Sequence, residues 1–88
     1  PAVFSFRGNY PNPFNASTTI LYELKENSAI TLSIFNVDGS EVEVIVSDYQ
    51  FAGKHSIVWN SQNIPSGIYF IRLSTKDFIQ TRKAILLK

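Results

Sequence analysis

The sequence predicts an all-β domain: an immunoglobulin-like antiparallel β-sandwich of about seven strands, with no disulfide. Three observations predict it. Apolar residues recur with a period close to two along almost the whole chain. Turn-forming residues separate these runs about every ten positions, the spacing of a small sandwich. No window of about eleven residues carries a 3.6-residue period, so no substantial helix is expected.

Each strand has its own pattern. Thr18-Thr19-Ile20-Leu21-Tyr22-Glu23-Leu24 puts Ile20, Tyr22 and Leu24 on one face. Residues 29–37 repeat the pattern, with Ile30, Leu32 and Ile34 inward and Thr31 and Ser33 outward. In Glu41-Val42-Glu43-Val44-Ile45-Val46 the valines alternate with carboxylates, so Glu41 and Glu43 read as a solvated face. His55-Ser56-Ile57-Val58-Trp59 sets His55, Ile57 and Trp59 together. Gly67-Ile68-Tyr69-Phe70-Ile71-Arg72-Leu73 and residues 78–87 complete the set. All are rich in the β-branched and aromatic residues that suit a pleated, half-buried surface.

The separators agree with this division. Asp38-Gly39 is a hairpin signal, because glycine takes positive φ cheaply. Lys76-Asp77 falls where a two-residue hairpin loop belongs but lacks a glycine, so its turn type stays open. Pro65-Ser66-Gly67 ends a loop and starts a strand. The cysteine pair of an antibody domain is missing, and Trp59 is expected to fill the space between the sheets instead.

The beginning of the chain differs. Tyr10-Pro11-Asn12-Pro13-Phe14-Asn15 holds two prolines in three residues. Each removes a donor and fixes φ, which bars a central strand. Residues 1–15 are therefore expected to be a Pro/aromatic edge segment, anchored by Tyr10 and Phe14 and shielding a sheet edge from unwanted pairing. Phe4, Phe6 and Phe14 point to packing on the domain itself rather than to a polyproline docking ligand.

Composition bounds the rest. The 88 residues suit a single domain over 1–88, and 44% apolar with 14% aromatic residues supplies its core. Only 17% are charged, and no apolar run reaches the roughly 18 residues of a spanning helix, so no transmembrane segment is expected. Net charge is +1, with Lys and Arg reading as scattered, which argues against nucleic acid. The absence of cysteine removes disulfides, thiolate metal sites and cysteine nucleophiles together. The opening Pro1-Ala2-Val3, without initiator Met or signal peptide, reads as part of something longer.

Candidate chemistry is sparse. His55 is the single histidine, which leaves zinc without a His or Cys partner; a half-buried strand residue with a satisfied ring nitrogen fits better. Asp38, Glu41 and Glu43 do not follow a calcium-loop spacing. No metal or cofactor is expected. No nucleophile elbow, phosphate loop or dinucleotide fingerprint occurs, and small sandwiches lack deep pockets, so an enzyme is not expected. A Ser–His–Asp set through His55 or a carboxylate pair would form in space and stays open. Asn15-Ala16-Ser17 is a formal glycosylation sequon, read here as an accident, with Asn15 capping a turn.

Three stretches together resemble a known family, the C-terminal sorting domains of the type IX (Por) secretion system. They are Asn9-Tyr10-Pro11-Asn12-Pro13-Phe14-Asn15 followed by Ser17-Thr18-Thr19-Ile20, then Ser66-Gly67-Ile68-Tyr69-Phe70, then Lys83-Ala84-Ile85-Leu86-Leu87-Lys88. Departures occur at Ala16, where the family often has proline, at Ser40, where it commonly has Arg, and at Lys76-Asp77. The resemblance implies a module fused behind an N-terminal passenger domain and recognised in the periplasm of a Gram-negative bacterium. Outer-membrane secretion machinery then takes the passenger to the cell surface or medium, and in many members the module is removed.

The residues carried over as translocon recognition elements are Gly67, Tyr69, Lys83, Ile85, Leu87 and Lys88. Each has a plainer reading. Gly67 could serve strand entry, Tyr69 the core, and the lysines a solvated edge. An accessible final strand is also expected to allow strand-mediated self-association. Two other functions compete. One is a carbohydrate-binding or spacer module of a secreted hydrolase, with Tyr49, Phe51 and Phe70 as exposed aromatics. The other is a structural assembly domain.

Overall fold

Seven strands account for nearly every residue between the turns, and the computed structural model describes residues 4–88. They are β1 Phe4–Tyr10, β2 Ser17–Leu24, β3 Ser28–Asn36, β4 Glu41–Gln50, β5 Gly53–Asn60, β6 Gly67–Ser74 and β7 Ile79–Leu86. The Pro1-Ala2-Val3 opening lies outside the described residues.

All neighbouring strands pair antiparallel, in two sheets ordered β1-β2-β5 and β4-β3-β6-β7. The fold is therefore the expected immunoglobulin-like sandwich. Its fourth strand pairs with the third, whereas the constant-domain arrangement keeps four strands in the first sheet. The tight turn between β3 and β4 explains this. Asn36 holds the turn: its side-chain oxygen accepts from the amides of Asp38 and Ser40 at 3.0 and 3.1 Å. Gly39 takes φ +84°, a conformation that side chains disfavour. Two strands joined so closely have little choice but to pair.

The core lies between the sheets and follows the alternation. Ile20, Tyr22 and Leu24 face Ile30, Leu32 and Ile34, with Ile71, Leu73, Ala84 and Leu86 beside them. Trp59 is 1% exposed and meets Phe14 at 5.1 Å and Tyr69 at 5.9 Å between ring centroids. It does fill the space between the sheets. His55 and Ile57 share its face, both half-buried.

Three details depart from the sequence pattern. Residues 4–10 form an edge strand with Phe4 and Phe6 buried, and residues 11–16 lie outside any strand. A bulge at Arg7 lies beside Gly8, whose φ of +88° suits glycine. Val44, expected inward, is 45% exposed. Here Leu32 pairs with Val46 but Ser33 with Val44, so Ile45 is an extra residue and the alternation slips by one. Ser33, expected outward, is nevertheless buried at 4% exposure. It stands between the larger Val44 and Arg72, its partners on either side.

Tyr10, expected as an anchor, is 76% exposed, whereas Phe14 is 3% exposed. The prolines turn the chain away from β1 before Phe14 can reach the core, and Tyr10 is left on the near side of that turn. Asn9 and Asn12, not Asn15, hold this segment with their side chains. Asn9 donates to the Pro11 carbonyl and to Thr18 Oγ1, and Thr18 donates in turn to Pro11 at 2.7 Å.

Candidate functional site

The six candidate recognition residues fall on β6, on β7 and just past its end. Along β7 the side chains alternate, so Ala84 and Leu86 enter the core while Lys83, Ile85 and Leu87 point outward. Leu87 is 57% exposed, Ile85 is half-buried, and Lys83 and Lys88 are exposed. Ile68 stands opposite Ile85, and Phe70 opposite Lys83. Gly67 opens β6 opposite Leu86. Tyr69 lies on the other side of the sheet, 5% exposed, with its ring on Trp59 and its phenol donating to the Pro65 carbonyl at 2.6 Å. This is the tyrosine corner of immunoglobulin-like sandwiches. The structure thus brings Lys83, Ile85 and Leu87 to one outward row and separates Tyr69 from them.

β7 is an edge strand of the four-stranded sheet, and the proline segment closes part of that edge. Asn12 Nδ2 donates to the Lys83 carbonyl at 3.0 Å, and the Ile85 amide donates to Asn12 Oδ1 at 2.9 Å. The Phe14 amide then donates to the Ile85 carbonyl at 2.9 Å, and the Leu87 amide to the Phe14 carbonyl at 2.8 Å. The Asn12 side chain and the Phe14 backbone together act as a short parallel strand beside Leu86. Prolines flanking Asn12 suit this role, because the segment needs few amide donors of its own. Asn12 and Phe14 thus cover the edge of β7, across the sandwich from β1. From the sequence alone, Asn12 carried no signal, since its partners lie 71 and 73 positions away.

The final residues are tied down as well. The Lys88 amide donates to Ser66 Oγ at 3.0 Å, and its ammonium donates to the Gln62 carbonyl at 2.8 Å. Arg82 crosses to the other sheet and donates to the Phe6 carbonyl at 3.0 Å. The tail is therefore ordered, with its outward side chains accessible and its main-chain edge from Lys83 to Leu87 occupied.

Basic residues, read as scattered, gather toward this end. Residues 67–88 hold Arg72, Lys76, Arg82, Lys83 and Lys88, against the single carboxylate Asp77. The whole chain has eight basic and seven acidic residues, so most of the acids lie elsewhere.

The other candidates are dispersed. His55 is stacked on Tyr22 at 5.2 Å and its Nε2 meets the Phe51 carbonyl at 2.8 Å. A carbonyl can only accept, so Nε2 is the donor in this contact. Among the described residues no three metal-ligating side chains cluster. Tyr49 and Phe51 are exposed but perpendicular at 6.4 Å, while Phe70 pairs with Phe35 on β3. The three aromatics share no flat platform for a sugar ring. Among the described residues, no helix is long and apolar enough to cross a membrane.

No curated protein and no solved structure matches the chain. Residues 9–87 match the family described as the secretion system C-terminal sorting domain, the span that runs from Asn9 through the edge cover to the outward row on β7. The chain belongs to that family: it is a C-terminal sorting signal of type IX secretion, which marks proteins for export through the outer membrane to the cell surface or medium.

Proposed function

We propose that the secretion machinery grips this module on the outward side chains of β7 and its end, Lys83, Ile85, Leu87 and Lys88, while Gly67 and Tyr69 shape the scaffold beneath them. The observation that carries this reading is the edge cover. With Asn12 and Phe14 bonded to the main chain from Lys83 to Leu87, a partner meets side chains there instead of free amides and carbonyls. A partner can add a strand only where the edge is open.

The module acts as a single domain, folded as one unit over the described residues 4–88 and carried behind a passenger that does any chemistry of the parent protein. Deep pockets and converging titratable groups are what catalysis uses, and the surface here is that of a recognition module. Self-association through strands would use the uncovered part of the β7 edge, near Ile79 and Thr81.

The test is a fusion of this chain behind a folded periplasmic reporter in a host with the type IX machinery. Surface exposure of the reporter is expected. Retention in the periplasm with the domain folded would rule the reading out.

A further inference from the structure

Beside the outward row, the outer face of the four-stranded sheet holds a shallow groove of about 260 Å³. Phe35 and Phe70, cross-strand partners on β3 and β6, form its half-buried aromatic floor. Val37 and Gly39 lie at one end, Arg72 and Thr81 at the other. The Arg72 guanidinium carbon stands 4.0 Å from the centre of the Phe35 ring.

That cation–π contact holds the guanidinium over the ring without using its hydrogen-bond donors. Arg82 has spent a donor on the Phe6 carbonyl, whereas Arg72 donates no hydrogen bond among the described residues. Lys83, opposite Phe70, adds a second positive charge on the same face. The carboxylates nearest in the fold, Asp38 in the turn and Glu41 opposite Phe35, stand on the β4 side of the groove. The β6 and β7 strands themselves carry no acid.

We propose that this groove receives an acidic side chain, Asp or Glu, together with an adjacent apolar residue from a protein of the export machinery. This rests on the reading above that the machinery grips the β6–β7 face, and it names the chemistry of what grips it. The carboxylate takes the bidentate fork of Arg72, the geometry that guanidinium and carboxylate share. The apolar residue lies against Phe70, on the side of the groove toward Ile68 and Ile85. A phosphate-bearing ligand fits less well, since phenyl rings offer it no donors and only one guanidinium faces the groove.

The experiment uses the reporter fusion carrying Arg72→Glu, Val37→Glu or Lys54→Glu. Lys54 is exposed on β5, in the other sheet, and controls for the change in net charge. Surface reporter is expected to fall about ten-fold or more for Arg72→Glu, because a repelled carboxylate replaces a charge-assisted pair. Val37→Glu is expected to lower it in the same direction, and Lys54→Glu to leave it unchanged. Export of Arg72→Glu at the wild-type level overturns the proposal while leaving the sorting reading intact. Failure of the unmutated fusion to leave the periplasm sinks the sorting reading instead. If Arg72→Glu loses its cooperative melt, Val37→Glu decides, since Val37 is 66% exposed in a turn and outside the core; its normal export overturns the proposal.

Discussion

The phenol of Tyr69 donates to the carbonyl of Pro65 at 2.6 Å, while its ring meets Trp59 edge-on at 5.9 Å. One side chain therefore ties the loop before β6 to the centre of the core. Tyr69→Phe keeps the ring and removes the tie. It should cost about 1 kcal/mol and lower Tm by about 4–8 °C, as read by thermal denaturation. An unchanged Tm would mean that the hydroxyl contributes nothing to the corner.

Asn12→Ala tests the edge cover. Losing both side-chain bonds to β7 should raise the exchange rate of the Ile85 amide about five-fold or more, since one such bond is worth about 1 kcal/mol. Amides of β2 should be unaffected. Hydrogen exchange followed by NMR resolves the two, and equal protection of Ile85 in both proteins would contradict the role assigned to Asn12.

Trp59→Ala removes the largest side chain of the core. Such truncations cost about 3–5 kcal/mol, and a domain of this length has roughly 4–13 kcal/mol to lose. Urea denaturation followed by circular dichroism should show the midpoint falling by about a quarter or more of its value, or no folded baseline at all.

Tyr22 carries a pH dependence. Burial, opposed by its hydrogen bond to Gln50, pushes its phenol above the ordinary tyrosine value. The folded state thus holds the proton more tightly than the unfolded state does. The resulting stability is complete below about pH 10, the unfolded value, and is lost as pH rises past it. Melting at pH 9 and pH 11 should show a larger drop for the wild type than for Tyr22→Phe; equal drops would show that Tyr22 does not contribute.

Removing Leu87 and Lys88 separates recognition from folding. Neither residue lies in the core, although their amides bond to Phe14 and Ser66. Tm should fall by about 10 °C or less, in line with the loss of three exposed hydrogen bonds and no core side chain. Surface display of a fused reporter should be lost. Full display after this deletion would remove the tail from the recognition surface.

The strands were legible because burial on one face enforces alternation: Ile20-Tyr22-Leu24 and Ile30-Leu32-Ile34 can be read directly. The turn at Asp38-Gly39 and the place of Trp59 were legible for equally local reasons. Val44 was not, because an extra residue at Ile45 reverses the side-chain direction and nothing in a run of β-branched residues marks where a bulge falls. Tyr10 and Phe14 looked alike as anchors; only the path of the chain between them decides which enters the core. In the site, Lys83, Ile85 and Leu87 were singled out by the resemblance, and the alternation of β7 accounts for their sharing one side. The part of Asn12 and the groove under Arg72 depend on residues far apart in sequence, which no local pattern encodes.

The clasp between Asn12 and Ile85 joins positions 73 apart. Such a contact cannot exist on a nascent chain until the ribosome has passed the later residue and both layers have closed. A truncated or half-folded module would carry most of the same letters without the covered β7 edge. If the machinery grips β7 as proposed, the grip is available only once the sorting module has completed its own fold.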